Sequence, residues 1–308
     1  MKKNTVIMIT GPTAVGKSII SFYLAKRIGG EIVNCDSVQL YKYMDVGSAK
    51  PSGKEMKKIR HHLYSIVDPD YNMTVATYQK LAIAVIDDII SRGKVPIVCG
   101  GTGLYLNSIL YDMSFAGSKG SARRREELEH MAEENGPEYM HHFLNALDPD
   151  SASRIHPNNT RKVIRAIEAY EEGQGIRNLA DCELNPKYDF KLFALNMDRE
   201  WLYERINARV LRLLEAGLVE EVLGLLGRGY TIDTPAMKAI GYKEIIGYIN
   251  EEYDLETAVS EIRKNTRHYA KRQITWLKRY DFARWIEIMK GDTVGGIVDK
   301  IIESASEN

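Results

Sequence analysis

The chain has 308 residues, 44% of them apolar and 27% charged, with 42 Lys+Arg balanced by 42 Asp+Glu. At roughly 150 residues per domain, this length corresponds to about two structural units with a sizeable core. No apolar run approaches the ~18 residues of a membrane span, and the basic start at Lys2-Lys3 leads into an apolar stretch too short for a signal peptide. Zero net charge argues against a surface that is basic throughout, but not against a local basic patch. Three cysteines, Cys35, Cys99 and Cys182, form neither a CxxC pair nor a zinc spacing. That sparse, odd count reads as a reduced, cytoplasmic protein.

In chain order, residues 5–10 are an apolar, β-branched run entering Gly11-Pro12, a short buried strand. Over 17–28, Ile20, Leu24 and Ile28 recur every fourth residue and stop at Gly29-Gly30, which predicts a helix with a glycine stop. A second strand at 31–35 ends at Asp36. A long amphipathic helix over 74–91 carries Tyr78, Leu81, Val85, Ile86 and Ile89 and closes at Gly93. A third strand at 95–99 runs into Gly100-Gly101-Thr102-Gly103. Strands alternating with helices imply a parallel, doubly wound sheet. Small residues at 114–121 mark a change of character, and 121–175 is helical, polar and charged. Strand character returns at 191–196, so the helical stretch is an insertion. Helices follow near 198–215, 218–227, 236–249 and 255–279, then a short strand at 283–288 and a terminal helix after Asp292. The expected fold class is α/β: a P-loop NTPase-like parallel sheet core with an inserted all-helical domain and a helical C-terminal region. The core takes residues 1–117 and 190–308, and the insert takes 118–189.

Gly11-Pro12-Thr13-Ala14-Val15-Gly16-Lys17-Ser18 fits G-x-x-x-x-G-K-[ST] between a strand and a helix. Glycines let consecutive N–H groups point inward at phosphate oxygens, and the helix adds its positive N-terminal end. Lys17 supplies a charge for the outer phosphate, and Ser18 a hydroxyl for Mg²⁺. The motif names phosphates and not a reaction; loops of this kind are commonly read as ATP sites. Asp36, at the end of a strand taken to lie adjacent to the loop, is a candidate metal-associated acid or a base aimed at a nucleophile. An Asx-turn or N-cap acid is the plainer reading. On composition alone, Arg209 reads as a solvated helix arginine, and Thr102 as either a turn residue or a substrate contact.

The wording extends beyond the loop. Asp36-Ser37-Val38-Gln39-Leu40-Tyr41-Lys42 is followed by Met44-Asp45-Val46-Gly47-Ser48-Ala49-Lys50-Pro51, His61-His62-Leu63, Val67-Asp68-Pro69 and Gly100-Gly101-Thr102-Gly103-Leu104-Tyr105. Later come Arg154-Ile155-His156-Pro157-Asn158, Ala239-Ile240-Gly241-Tyr242 and Lys271-Arg272-Gln273-Ile274-Thr275-Trp276-Leu277. From residue 6 to about 285 this ordered set resembles the bacterial tRNA dimethylallyltransferase (tRNA isopentenyltransferase) family. The resemblance implies transfer of a dimethylallyl group from dimethylallyl diphosphate to the exocyclic amine of adenosine 37 in the tRNA anticodon stem-loop, with release of diphosphate and a need for Mg²⁺. It implies that residues 11–18 hold the donor diphosphate, that Asp36 is the base, and that Thr13 and Arg209 assist catalysis. It places Asp36, Ser37, Val38, Gln39 and Thr102 against the target base, which must be extruded from its stack and enter a channel opposite the donor. It also implies a monomer.

The neutral sum hides local asymmetry. Arg263, Lys264, Arg267, Lys271, Arg272, Lys278, Arg279 and Arg284 cluster around Tyr269, Trp276 and Tyr280, with Asp281 the only acid between 263 and 284. Arg267, Lys271 and Lys278 share one side of a helix. Composition leaves this open between an RNA-tracking stripe and a solvated face over a core of Ile274, Trp276 and Leu277. The resemblance favours RNA contact by Arg267, Lys271, Arg272, Gln273, Trp276 and Lys278, and by Arg161, Lys162, Val163, Ile164 and Arg165 in the insert. Arg123-Arg124-Arg125 fits no motif and reads as a basic helix start near Glu126-Glu127. His156 reads as structural. Competing activities are prenyl transfer to free AMP, ADP or ATP, a P-loop small-molecule kinase, and a non-catalytic RNA-binding module.

Overall fold

The computed structural model describes residues 4–113, 122–173 and 182–306. It divides into two compact units: Met1–Leu110 with Asn185–Asn308, and Tyr111–Leu184. The boundary expected at 117–118 falls outside the described residues. At the other end, residues 185–189 go with the first unit, where Asp189 pairs with Thr5 in the sheet.

The first unit is built on a six-stranded sheet of β1 (Thr5–Thr10), β2 (Glu31–Asn34), β3 (His61–His62), β4 (Pro96–Cys99), β5 (Asp189–Met197) and β6 (Arg284–Ile288). The order is β3-β2-β4-β1-β5-β6, and every pair is parallel. β1, β2 and β4 are buried along their whole lengths. This is why they read as continuous apolar runs rather than alternating ones. Ile7, Ile9, Ile97, Phe193 and Leu195 pack on one face with Ile20 and Leu24 of α1 (Lys17–Ile28) and with Ile297 and Ile301 of the C-terminal helix Val294–Ser306. The other face meets α3 (Val75–Ser91), after α2 (Gly53–Lys58), with the buried Tyr78 Oη donating to Asn34 O at 2.9 Å. β4 lies between β1 and β2, so the strand before Asp36 is one removed from the phosphate-loop strand, not adjacent to it.

α4 (Gly103–Leu110) follows β4 directly. The second unit contains α5 (Ala122–Leu147), α6 (Pro149–Arg154) and α7 (Thr160–Glu171). α5 is broken at Gly136, whose left-handed φ of 83° precedes Pro137. After β5 come α8 (Arg199–Glu215), α9 (Leu218–Leu226), α10 (Tyr242–Ile249) and α11 (Leu255–Leu277), with the C-terminal helix as α12. The single helix expected over 236–249 is a 3-10 turn, Pro235–Lys238, and then α10. Gly241, at φ 98°, interrupts the helix there.

Candidate active site

Three loops at the C-terminal ends of the strands and one helix make the site. The first is the loop between β1 and α1. Gly11 has φ 145°, and a Cβ there would come 2.5 Å from Leu195 O on β5. Gly16 has φ 109°, and Ala14 is itself left-handed at φ 66°. These values bend the chain so that it closes over the start of α1. Ala14 is held from outside: Arg205 Nε on α8 donates to Ala14 O at 2.9 Å. Lys17 Nζ donates to Gly11 O at 2.9 Å and Pro12 O at 2.8 Å, which keeps the ammonium inside the loop. Burial lowers Lys17 from its ordinary value to about 8, against the opposing pull of Cys99 and Asp36, with Arg209 adding to the lowering. Ser18 is exposed in the first turn of α1.

The second is the corner after β2. Buried Asn34 shapes it: its Oδ1 accepts Asp36 N at 2.9 Å, and its Nδ2 donates to Asp36 O and Leu63 O. Asp36 Oδ1 in turn accepts Val38 N at 2.9 Å. The Asx turn is therefore real, and it fixes the carboxylate's direction while engaging one of its two oxygens. The 100–103 loop is fastened to this corner. Thr102 N donates to Cys35 O at 3.2 Å, and Thr102 Oγ1 accepts Ser37 N at 3.0 Å. Gly100 lies so close to the Cys35 backbone that a Cβ would overlap it.

Arg209, one turn after Arg205 on α8, is not a solvated helix arginine. Burial lowers its guanidinium below the usual range, while the charge of Asp36 opposes the shift. Its Nη2 reaches Ser48 O at 3.5 Å. Lys17 feels both Asp36 and Arg209 electrostatically, so two cations and one carboxylate from three distant parts of the chain share one site.

The remaining site residues separate by burial. Gln39 is buried, with Nε2 donating to Ser48 O (3.0 Å) and Ala49 O (3.3 Å), and Val38 packs against the helical core. On α11, Lys271 and Arg272 are exposed, as is Lys278 just beyond it. Arg267 is half-buried, with its guanidinium 5.8 Å from the centre of the Tyr203 ring. Gln273, expected on the RNA-facing stripe, is buried instead and hydrogen-bonded to the protein backbone on both sides. Trp276 is half-buried against Gly103 and donates through Nε1 to Tyr280 Oη at 3.1 Å, so its ring is partly committed to packing. In the second unit, Arg161, Lys162 and Arg165 are exposed, and Arg165 pairs with Glu168 at 3.1 Å. Val163 and Ile164 belong to the core with Leu128, Met140 and Leu144. They were expected to meet RNA, but a 3.6-residue period sends alternate parts of a five-residue run to opposite faces. Arg123, Arg124 and Arg125 pair with Glu127, Glu171 and Glu168, as a charged helix start does. His156 Nδ1 accepts Asn158 N at 3.2 Å within its turn.

Sequence reasoning missed Arg205 and Asn34. Arg205 had a signal, since it stands one turn before Arg209 on the same helix. Asn34 had none, since its role depends on a carbonyl 29 residues away.

The IPP transferase family model matches residues 39–280. A tRNA dimethylallyltransferase of Alkaliphilus oremlandii is 48% identical over 303 residues, covering 98% of this chain and 97% of its own. One of Exiguobacterium sp. is 50% identical over 288 residues, covering 94% and 92%. Among solved structures, a tRNA isopentenylpyrophosphate transferase of Bacillus halodurans is similar with a TM-score of 0.73 at 37% identity, over 98% of this chain and 97% of that one. A eukaryotic dimethylallyltransferase acting on tRNA has a TM-score of 0.80 at 29% identity, over 92% of this chain and 74% of that one. With the phosphate loop, the Asp36 corner and the buried Arg209 in one sheet edge, and with this extent of similarity, the chain belongs to the IPP transferase family.

Proposed function

We propose that this protein is a tRNA dimethylallyltransferase, moving a dimethylallyl group from dimethylallyl diphosphate to the exocyclic amine of adenosine 37 in the anticodon stem-loop. The observation that carries the reading is the grouping of Lys17, Arg209 and Asp36: two cations at a phosphate loop with a carboxylate beside them. A phosphoryl-transfer site needs the cations. A site that builds a C–N bond on an aromatic amine also needs a proton acceptor. Adenine's amine is a poor nucleophile because its lone pair is delocalised into the ring.

In the proposed step the amine nitrogen bonds to C1 of the dimethylallyl group. The C1–O bond breaks, and its electron pair leaves with the diphosphate. The proton from nitrogen passes to the Asp36 carboxylate, with Oδ2 the oxygen not engaged by Val38 N. Lys17, Arg209 and the loop amides hold the charge that accumulates on the departing oxygen. Desolvation of both cations strengthens this interaction, since the same charges attract more strongly away from water. The Thr102 loop and residues 36–39 hold the acceptor side, and the exposed cations Lys271, Arg272, Lys278, Arg161 and Lys162 bind RNA phosphates.

Among the described residues, no group of three or more His, Cys, Asp or Glu gathers to form a protein cage for a metal. Ser18, exposed in the first turn of α1, is the residue whose hydroxyl would hold a Mg²⁺ brought by the diphosphate. When bound, it would neutralise charge on the leaving group.

The test is a parallel acceptor assay. Labelled dimethylallyl diphosphate is supplied with an unmodified anticodon stem-loop or with AMP, and labelled ATP with small acceptors. Label in the stem-loop is expected. Label only in AMP, or phosphate transfer from ATP, would contradict the reading. The protein is expected to sediment as a monomer alone.

A further inference from the structure

α11 and the turn after it present two faces. Lys271, Thr275 and Lys278 are exposed. Gln273, Trp276 and Tyr280, spaced three and four apart, turn toward residues 101–107. Trp276 lies against Gly103, where a Cβ would come within 2.5 Å of the indole. Tyr280 Oη donates to Asn107. Within this row Gln273 reaches further, to the phosphate loop. Its Oε1 accepts Thr13 N at 2.8 Å, and its Nε2 donates to Gly101 O at 3.0 Å. The side chain is 5% exposed, and a Cβ on Gly101 would overlap its Nε2. A backbone N–H on one side and a carbonyl on the other call for one acceptor and one donor at the same reach, which a neutral glutamine amide supplies.

We propose that Gln273 is a positioning residue that ties the diphosphate-holding loop to the acceptor-side loop and so fixes the separation of the two substrates. The inference rests on the reading that residues 11–18 hold the donor diphosphate. It gives Gln273 a different role from the RNA contact its place in the basic helix predicts. It also assigns Thr13 differently within its loop. The Thr13 N–H is turned toward Gln273, which leaves the side-chain hydroxyl rather than the amide as that residue's donor to a phosphate oxygen. On the other side, Gly101 precedes Thr102, whose hydroxyl accepts the Ser37 amide beside Asp36. One amide group thus spans from the donor cradle to the corner that carries the base.

Gln273→Leu and Gln273→Met keep the bulk and remove both bonds. For each, the measurements are the KM and kcat for dimethylallyl diphosphate, the Kd for inorganic diphosphate, and the Kd for the stem-loop. Leaving a buried amide and carbonyl unpaired is expected to raise donor KM and inorganic diphosphate Kd roughly ten- to hundred-fold, with stem-loop Kd unchanged. A raised stem-loop Kd with diphosphate binding intact would overturn the proposal and return Gln273 to RNA contact. A second measurement needs no variant. In the wild-type protein the Thr13 amide is expected to exchange its hydrogen slowly, and rapid exchange would contradict the bond. If the wild-type protein transfers no prenyl group, the proposed function fails, while diphosphate binding and amide exchange still decide the role of Gln273.

Discussion

At the scale of single residues, the site works by placing charge where water is excluded. Lys17, brought to about 8 by burial, loses its proton within the range of ordinary assays. A lowered lysine is fully cationic only below that value, so kcat/KM for dimethylallyl diphosphate is expected to fall as pH rises through about 8. Lys17→Met is expected to be low throughout and to lack that limb. A wild-type profile flat across this range would contradict the assignment. Asp36 sits in an Asx turn that leaves one carboxylate oxygen to accept a proton. Asp36→Asn keeps the turn's acceptor and removes the carboxylate proposed as the base. It is expected to lower kcat by roughly 10²–10⁴-fold with stem-loop Kd retained. Single-turnover kinetics at saturating RNA checks this. Full activity in the variant would remove Asp36 from catalysis.

At the scale of elements, the loop after β1 and the stripe on α11 show what local sequence reveals and what it hides. The phosphate loop was legible because the demands its motif records are local: glycines at two positions of positive φ, a lysine at the helix start, an apolar strand before it. The Asp36 corner was legible only as an acid at a strand end. Its geometry depends on Asn34 reaching Leu63 and on Thr102 reaching Ser37, contacts between distant segments. Lys271 on α11 and Lys278 just beyond it are exposed, as either reading of the basic stripe requires, but Gln273 is not. A polar residue between charges gives no sign that two backbone groups from other loops will bury it. Lys271→Ala and Lys278→Ala are each expected to reduce the slope of log K against log salt for RNA by about 1, with donor KM unchanged. A salt titration checks this. At the start of β2, Glu31 is 1% exposed and accepts Arg92 Nη1 and Nη2 (2.6 and 2.8 Å), Lys94 at 2.8 Å and His62 at 2.7 Å. The Arg92 guanidinium, foremost, holds its carboxyl well below the usual range. A lowered carboxyl contributes stability above its unfolded value of about 4.3, and that contribution is lost as pH falls. Glu31→Gln is expected to cost roughly 1–3 kcal/mol at neutral pH and to flatten the acid limb of urea-unfolding stability. An acid limb as steep as the wild type's would contradict this.

At the scale of the whole molecule, zero net charge coexists with a protein that handles a polyanion because the charges are sorted. The acids of α5 and α7 neutralise Arg123, Arg124 and Arg125, while Lys271, Arg272 and Lys278 stand exposed along the inward-turned row of Gln273 and Trp276. The α/β class and the interruption between the 95–99 and 191–196 strands were legible from periodicity and from the return of strand character. The strand order was not, since β4 enters between β1 and β2 by a pairing that no local pattern records. The central claim is that Asp36, Lys17 and Arg209 transfer a prenyl group to an adenine amine in RNA. It is tested most directly with two stem-loops, one carrying adenosine at position 37 and one carrying a purine riboside there that lacks the amine. Incubated with labelled dimethylallyl diphosphate, the first is expected to take up label in proportion to the diphosphate released, and the second none. Equal labelling of both would contradict the account.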